Sequence, residues 1–156
     1  MYGKMRADTL IFGFEDVKVC RILLHIIQEL ITMINKISTE KAPKAIGPYS
    51  QAIMVNNVIY TSGQIPIDPE TGNVKGSEIK EQAEQVMKNL LAVLQAANAD
   101  FNNVVKTTCF LADIADFAAF NEVYAKYITS APARSCVAVK DLPKGVLVEV
   151  EAIAYI

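Results

Sequence analysis

The chain has 156 residues, enough for one domain with a real core and too few for two ordinary ones. A composition of 52% apolar and 21% charged residues is globular and excludes a disordered chain. A formal net charge of −2 without any basic run argues against a nucleic-acid partner.

Residues 1–32 differ from the rest. Lys18, Arg21, His25, Gln28, Glu29 and Thr32 fall on one stripe of a helix beginning near residue 17. Val19, Ile22, Leu23, Ile26, Ile27, Leu30 and Ile31 surround the remainder. The uninterrupted apolar run is far short of the ~18 residues of a membrane span. Arg21 and His25 break it as a signal peptide. Residues 1–32 are therefore expected to be an extension packed on the domain or on a neighbouring subunit. Alternatively they are upstream sequence, with Met33 as a natural beginning.

From residue 51 the pattern turns to strands. Residues 51–55 and 58–65 read as a hairpin around Asn56-Asn57, because asparagine tolerates the positive φ of such a turn. Asp68 to Gly72 is a turn. Residues 79–97 form an amphipathic helix with Ile79, Ala83, Val86, Met87, Leu90, Leu91, Leu94 and Ala97 inward. Residues 104–111 read as a strand. Asp116 is the expected N-cap of a second helix with Phe117, Phe120, Tyr124 and Tyr127 on its inner face. Two strands, 134–140 and 146–155, close the chain around Leu142-Pro143-Lys144-Gly145. The order β-β-α-β-α-β-β predicts a single α/β (α+β) domain, a mixed sheet with two helices on one face. Self-association is the expected cover for the other face.

The last strand carries two glutamates in an apolar run, Glu149 and Glu151, two apart and so on one face. A buried carboxylate is expensive unless paired. Arg134 lies in similar apolar company one strand earlier. Its planar fork suits a small carboxylate ligand, and Glu149 suits a general base acting on water. A plain cross-strand ion pair accounts for the same residues. Strand register is not set by the turn, so a shared face within one chain does not follow. Cys136 is on the Arg134 face. It reads as a nucleophile, as a small apolar filler, or as a backbone N–H donor with an incidental thiol. Cys20 and Cys109 read as fillers. Gly47-Pro48-Tyr49-Ser50 and Thr61-Ser62-Gly63-Gln64 are ordinary turns or places where backbone meets a ligand. Three widely spaced cysteines and one histidine, with no CxxC or Cys/His cluster, argue against a structural zinc and a disulfide framework, so no metal is expected and a reducing, cytoplasmic location is. There is no GxxxxGK[ST] or GxGxxG loop, hence no nucleotide cofactor.

Four ordered motifs, Ala45 to Ala52, Thr61 to Pro66, Pro132 to Val137 and Val148 to Ala154, together resemble the RidA (YjgF) family over about residues 33–156. The resemblance implies a chorismate-mutase-like fold assembled as a homotrimer with clefts between subunits. It implies a cofactor-free deaminase of reactive 2-enamines and 2-imines, such as 2-aminoacrylate, released by PLP-dependent dehydratases. Its small-molecule partners would be 2-imino and 2-keto acids. Arg134 matches the family arginine that clamps the substrate carboxylate. Glu149 matches the glutamate that positions or activates water, and Cys136 a pocket cysteine whose main-chain N–H contributes to binding. Tyr49, Ser62, Gly63 and Asn121 match other pocket positions. The extension has no counterpart in the family pattern, and the connection from Tyr127 to Arg134 is short beside some members. Rival functions are an endoribonuclease or translation inhibitor, a keto-acid sensor using the same pocket, and a holdase-like chaperone indifferent to Arg134.

Overall fold

The computed structural model describes residues 19–24 and 34–156. The chain divides into two units, Met1–Met33 and Ile34–Ile156. Residues 19–24 are helical, in the stretch where the helical stripe was read. The rest of that expected helix, with His25 and Met33, lies outside the described residues. Among the described residues no helix is long and apolar enough to cross a membrane.

The second unit opens with a strand that the sequence pattern did not reveal, β1 (Ile34–Ile37). It is four residues long, largely exposed and lacks strict alternation, so neither periodicity nor burial marks it. It pairs antiparallel with β2 (Ala52–Val55), which folds back onto β3 (Val58–Thr61). Asn56 takes a φ of 53°, the left-handed conformation a tight hairpin turn requires. β3 stops at Thr61 and does not run to residue 65. Ser62 and Gly63 leave the ladder, and Gln64 rejoins it only as an isolated bridge to Val150.

Helix α1 (Ile79–Ala96) has its apolar positions three and four apart, which buries Ile79, Ala83, Val86, Met87, Leu90, Val93 and Leu94. Val93 is fully buried and Leu91 only partly so, the reverse of the expected face. Three buried polar side chains anchor the helix to loops. The Asn89 amide donates to the carbonyls of Ile65 and Ile67 at 3.0 and 2.8 Å, and Gln85 donates to Asn89 at 2.8 Å. The backbone N–H of Leu147 donates to Gln82 at 2.8 Å.

Strand β4 (Val104–Leu111) leads to helix α2 (Phe117–Tyr127). Asp116 stands at the N-cap position without a side-chain cap bond, because its backbone is already helical. Asp113 caps instead, accepting from the Ala115 N–H at the head of the 3-10 turn Ile114–Asp116 that precedes α2. The inner face of α2 is Phe120, Val123 and Tyr124. Tyr127 is half-buried and donates to Glu84 of α1, while Phe117 is exposed at the helix start. Strand β5 (Ala133–Ala138) then runs parallel to β4, and β6 (Val148–Tyr155) lies antiparallel between β3 and β4. A 3-10 turn, Pro143–Gly145, forms within the turn expected between β5 and β6, and β6 begins at Val148, two residues later than expected.

The sheet order is β1-β2-β3-β6-β4-β5, a mixed sheet. Strand alternation sends Ile59, Thr107, Cys109, Leu111, Val148, Val150, Ala152 and Ala154 to the buried helix side. Each fully buried aliphatic side chain there contributes about 1.5–3 kcal/mol. The opposite side carries Tyr60, Phe110, Val137, Ile153 and Tyr155, with Tyr60 48% and Tyr155 57% exposed. Neither α1 nor α2 covers it.

Candidate active site

Register places Glu149 opposite Phe110 and Glu151 opposite Thr108, so both carboxylates stand on the side of the sheet away from the helices. Glu149 is half-buried. Paired bonds between Gln64 and Val150, 2.8 and 3.1 Å, draw the preceding Gly63 against it. A Cβ on Gly63 would lie 1.8 Å from Glu149 Oε1. Only glycine permits this approach. Ser62 fastens the same segment to the loop before β2. Its hydroxyl donates to the Ser50 carbonyl at 2.6 Å, and its N–H to the Gln51 carbonyl at 2.9 Å. From that loop Tyr49 projects, exposed, its hydroxyl accepting the Ile46 N–H at 3.3 Å. Tyr49, Gln51, Gly63 and Gln64 line one small cavity of about 40 Å³. A larger recess of about 540 Å³ between β1 and the 38–51 loop contains only Tyr49 of the candidate residues. Burial raises the Glu149 carboxyl above its ordinary value, and the neighbouring Glu151 charge raises it further.

A second group forms on the other side of the sheet. Arg134 is in register with Thr107, and Cys136 with Cys109, both pairs on the helix side. Arg134 Nη1 donates to Asn121 Oδ1 at 2.7 Å. Its guanidinium carbon lies 4.9 Å from the centre of the Tyr124 ring and 5.6 Å from that of Phe117. No carboxylate among the described residues pairs with it. A cleft of about 480 Å³ opens beside it, lined by Asn121, Tyr124, Ala125, Ile128 and Pro132. Burial pushes the Cys136 thiol up, with Arg134 and Cys109 offsetting part of the effect. Burial raises Cys109 to about 12. Both thiols are thus protonated near neutrality, which gives a thiolate nucleophile no support. Cys20 is exposed, and His25, the only histidine, lies outside the described residues.

The candidates therefore fall into two sets. Tyr49, Ser62, Gly63 and Glu149 gather around the start of β6, while Asn121, Arg134 and Cys136 gather around β5 and α2. Strand β4 separates β5 from β6, so the sets are about 10 Å apart along the sheet, and their charged side chains leave it on opposite sides. Within one chain Arg134 and Glu149 do not converge. Phe117 and Tyr124, read from the sequence only as inner-face residues, also flank the guanidinium. The signal was present: 117, 121 and 124 form one stripe of α2. Among the described residues no group of three His, Cys, Asp or Glu side chains could hold a metal ion.

The sequence model of the family described as Endoribonuclease L-PSP matches residues 39–156. A RutC family protein of Pyrococcus abyssi is 58% identical over 120 residues, which cover 76% of this chain and 94% of the relative. A protein of Homo sapiens named 2-iminobutanoate/2-iminopropanoate deaminase is 53% identical over 119 residues, covering 76% and 87%. The crystal structure of E. coli TdcF with bound serine superposes with a TM-score of 0.75 at 40% identity, covering 78% of this chain and 98% of that one.

Proposed function

We propose, from the premise that this chain belongs to the Endoribonuclease L-PSP family (the RutC/YjgF/RidA family), that it hydrolyses 2-imino acids and their enamine tautomers to 2-keto acids and ammonium. The observation that carries this reading is Arg134: an exposed guanidinium held by an amide and two aromatic rings, with no carboxylate partner among the described residues. Such a fork is ready to accept a small carboxylate through two parallel hydrogen bonds. The name of the human relative, and the serine in the E. coli structure, fit a small amino- or imino-carboxylate ligand.

In this reading the substrate carboxylate docks on Arg134, and the Cys136 main-chain N–H and the Asn121 amide help orient it. Glu149, made more basic by burial and by Glu151, takes a proton from water. The resulting hydroxide equivalent adds to the imine carbon, and the nitrogen gains a proton. The tetrahedral adduct then expels ammonia as its hydroxyl becomes the keto oxygen. Hydrolysis of this kind consumes only water and calls for no cofactor or metal. Tyr49, Ser62 and Gly63 form the wall that holds Glu149 and the water in place.

Arg134 and Glu149 leave opposite sides of one sheet, so in this reading the two sets come from different chains. A homotrimer with sites between subunits supplies that arrangement. It also covers the apolar sheet face that carries Tyr60, Phe110, Val137 and Ile153. Residues 1–32 are an extension to this catalytic domain of residues 33–156, and the setting is cytoplasmic.

The test is to generate 2-aminobutenoate from threonine with a PLP-dependent dehydratase, with semicarbazide present to trap the imine. The protein should divert imine from the trap into 2-ketobutyrate, and Arg134→Ala should not. An unchanged partition would overturn the deaminase reading for this substrate class. The family description also names ribonucleolysis. Were that the activity here, RNA cleavage would fall steeply with added salt.

A further inference from the structure

Among the described residues one aromatic side chain is tied both to the sheet and to the exposed arginine. Tyr124 is only 7% exposed, and its phenol hydroxyl lies 2.8 Å from the hydroxyl of Thr107, which is fully buried. Thr107 is the β4 residue in register with Arg134 on β5. The Tyr124 ring in turn lies 4.9 Å from the Arg134 guanidinium carbon. Residues 107, 124 and 134 thus close a loop: strand to hydroxyl, hydroxyl to ring, ring to guanidinium, guanidinium back to the neighbouring strand. Phe117 and Asn121, on the same stripe of α2, hold the guanidinium from two further directions.

The chemistry of recognition makes this arrangement useful. An exposed arginine has several rotatable bonds, and fixing such a side chain on ligand binding consumes affinity. A guanidinium resting on an aromatic face gains a cation–π attraction and loses freedom to rotate out of its plane. Asn121 engages one donor of Nη1, which leaves a fork of N–H groups for a ligand. The plane of that fork is then set by the Tyr124 ring, and the ring is set by Thr107.

We infer that Tyr124 is a positioning residue for carboxylate recognition, its Thr107-tethered ring holding the Arg134 guanidinium in the plane in which the substrate carboxylate meets it. The inference rests on the proposed function in one respect: it takes the ligand of Arg134 to be a carboxylate. Tyr124 acts through Arg134 and need not touch the reacting atoms.

The experiment uses the full chain and two readouts, calorimetric binding of 2-ketobutyrate and steady-state imine hydrolysis, with thermal unfolding recorded for every variant. Tyr124→Leu removes the platform and should weaken keto-acid binding and raise KM by about tenfold, leaving kcat within about twofold. Tyr124→Phe keeps the ring and loses the tether, so it should recover most of the affinity. Thr107→Val should match it, and the double variant Tyr124→Phe/Thr107→Val should be no worse than either single change, because both remove one interaction. A purely structural tyrosine predicts that kcat and unfolding temperature fall with affinity and that Phe does not rescue KM. That pattern, or binding by Tyr124→Leu equal to wild type, would overturn the inference and leave the deaminase reading standing. Wild-type protein that binds no keto acid and hydrolyses no imine would overturn both.

Discussion

The contact between Gly63 and Glu149 is the tightest constraint on the candidate site. Gly63→Ala would place a methyl group 1.8 Å from a carboxylate oxygen, so the carboxylate or the loop must move. Overpacking of this kind costs about 1–3 kcal/mol, and a shift of about 1 Å in a catalytic group costs on the order of 100-fold in rate. Urea unfolding and imine turnover of Gly63→Ala should show both effects. Glu149 itself should trade stability for function. Its value in the folded protein is raised by burial and by Glu151, so its contribution to stability is present below the unfolded glutamate value. That contribution is lost as pH rises through the folded value, and the ionised, half-buried carboxylate is then a burden. Glu149→Gln should therefore abolish turnover and spare keto-acid binding. Its unfolding free energy relative to wild type should also be more favourable at pH 8 than at pH 4. A stability difference that stays flat between those pH values would show that Glu149 ionises in the fold as it does in the unfolded chain.

At the scale of elements, the site depends on how α1 holds the loop behind it. Asn89 donates to the carbonyls of Ile65 and Ile67, just past the Gly63 segment, and takes a bond from Gln85. Asn89→Ala leaves these buried groups without partners, which costs about 1–3 kcal/mol for each unsatisfied group. Denaturation should show that loss. Hydrogen exchange should show faster exchange in residues 62–67 than in α2, because the bonds removed are local to that loop. The elements themselves were read from the sequence with uneven success. α1 and β6 carry strong periodicity and β4 strong strand propensity, and all three limits are close to those expected. β1 carries no periodicity. α2 starts where expected, after Asp116, but the side-chain cap falls to Asp113 at the preceding 3-10 turn, because the Asp116 backbone is already helical.

For the whole molecule, the consequential fact is that Arg134 and Glu149 stand on opposite sides of a single sheet. If the site is completed between chains, two inactive variants should complement each other. An equal mixture of Arg134→Ala and Glu149→Gln, unfolded and reassembled together, should regain about a quarter of wild-type activity, the share of interfaces that pair an intact arginine with an intact glutamate. Each variant alone should stay inactive. Light scattering on the same samples should give three chains per particle. A mixture with no recovered activity despite exchange of chains would place the whole site within one chain and contradict the register described above.

The sequence by itself determined most of the local structure and the chemical inventory. Repeats of two and of 3.6 residues mark strands and helices because they are properties of short segments. Arg134 and Glu149 stood out because charged groups in apolar strands need a reason to be there. The two glutamates' shared face, and that of Arg134 with Cys136, followed from strand alternation alone. Which side of the sheet each pair occupies did not. β5 reaches its place beside β4 through α2, and β6 is inserted between β3 and β4 by pairings remote in sequence. A register shift of one residue would exchange the two faces, so only the assembled sheet decides it. The approach of Gly63 to Glu149, and of Tyr124 to Arg134, likewise join residues far apart in the chain. No local pattern encodes such contacts, and packing alone creates them.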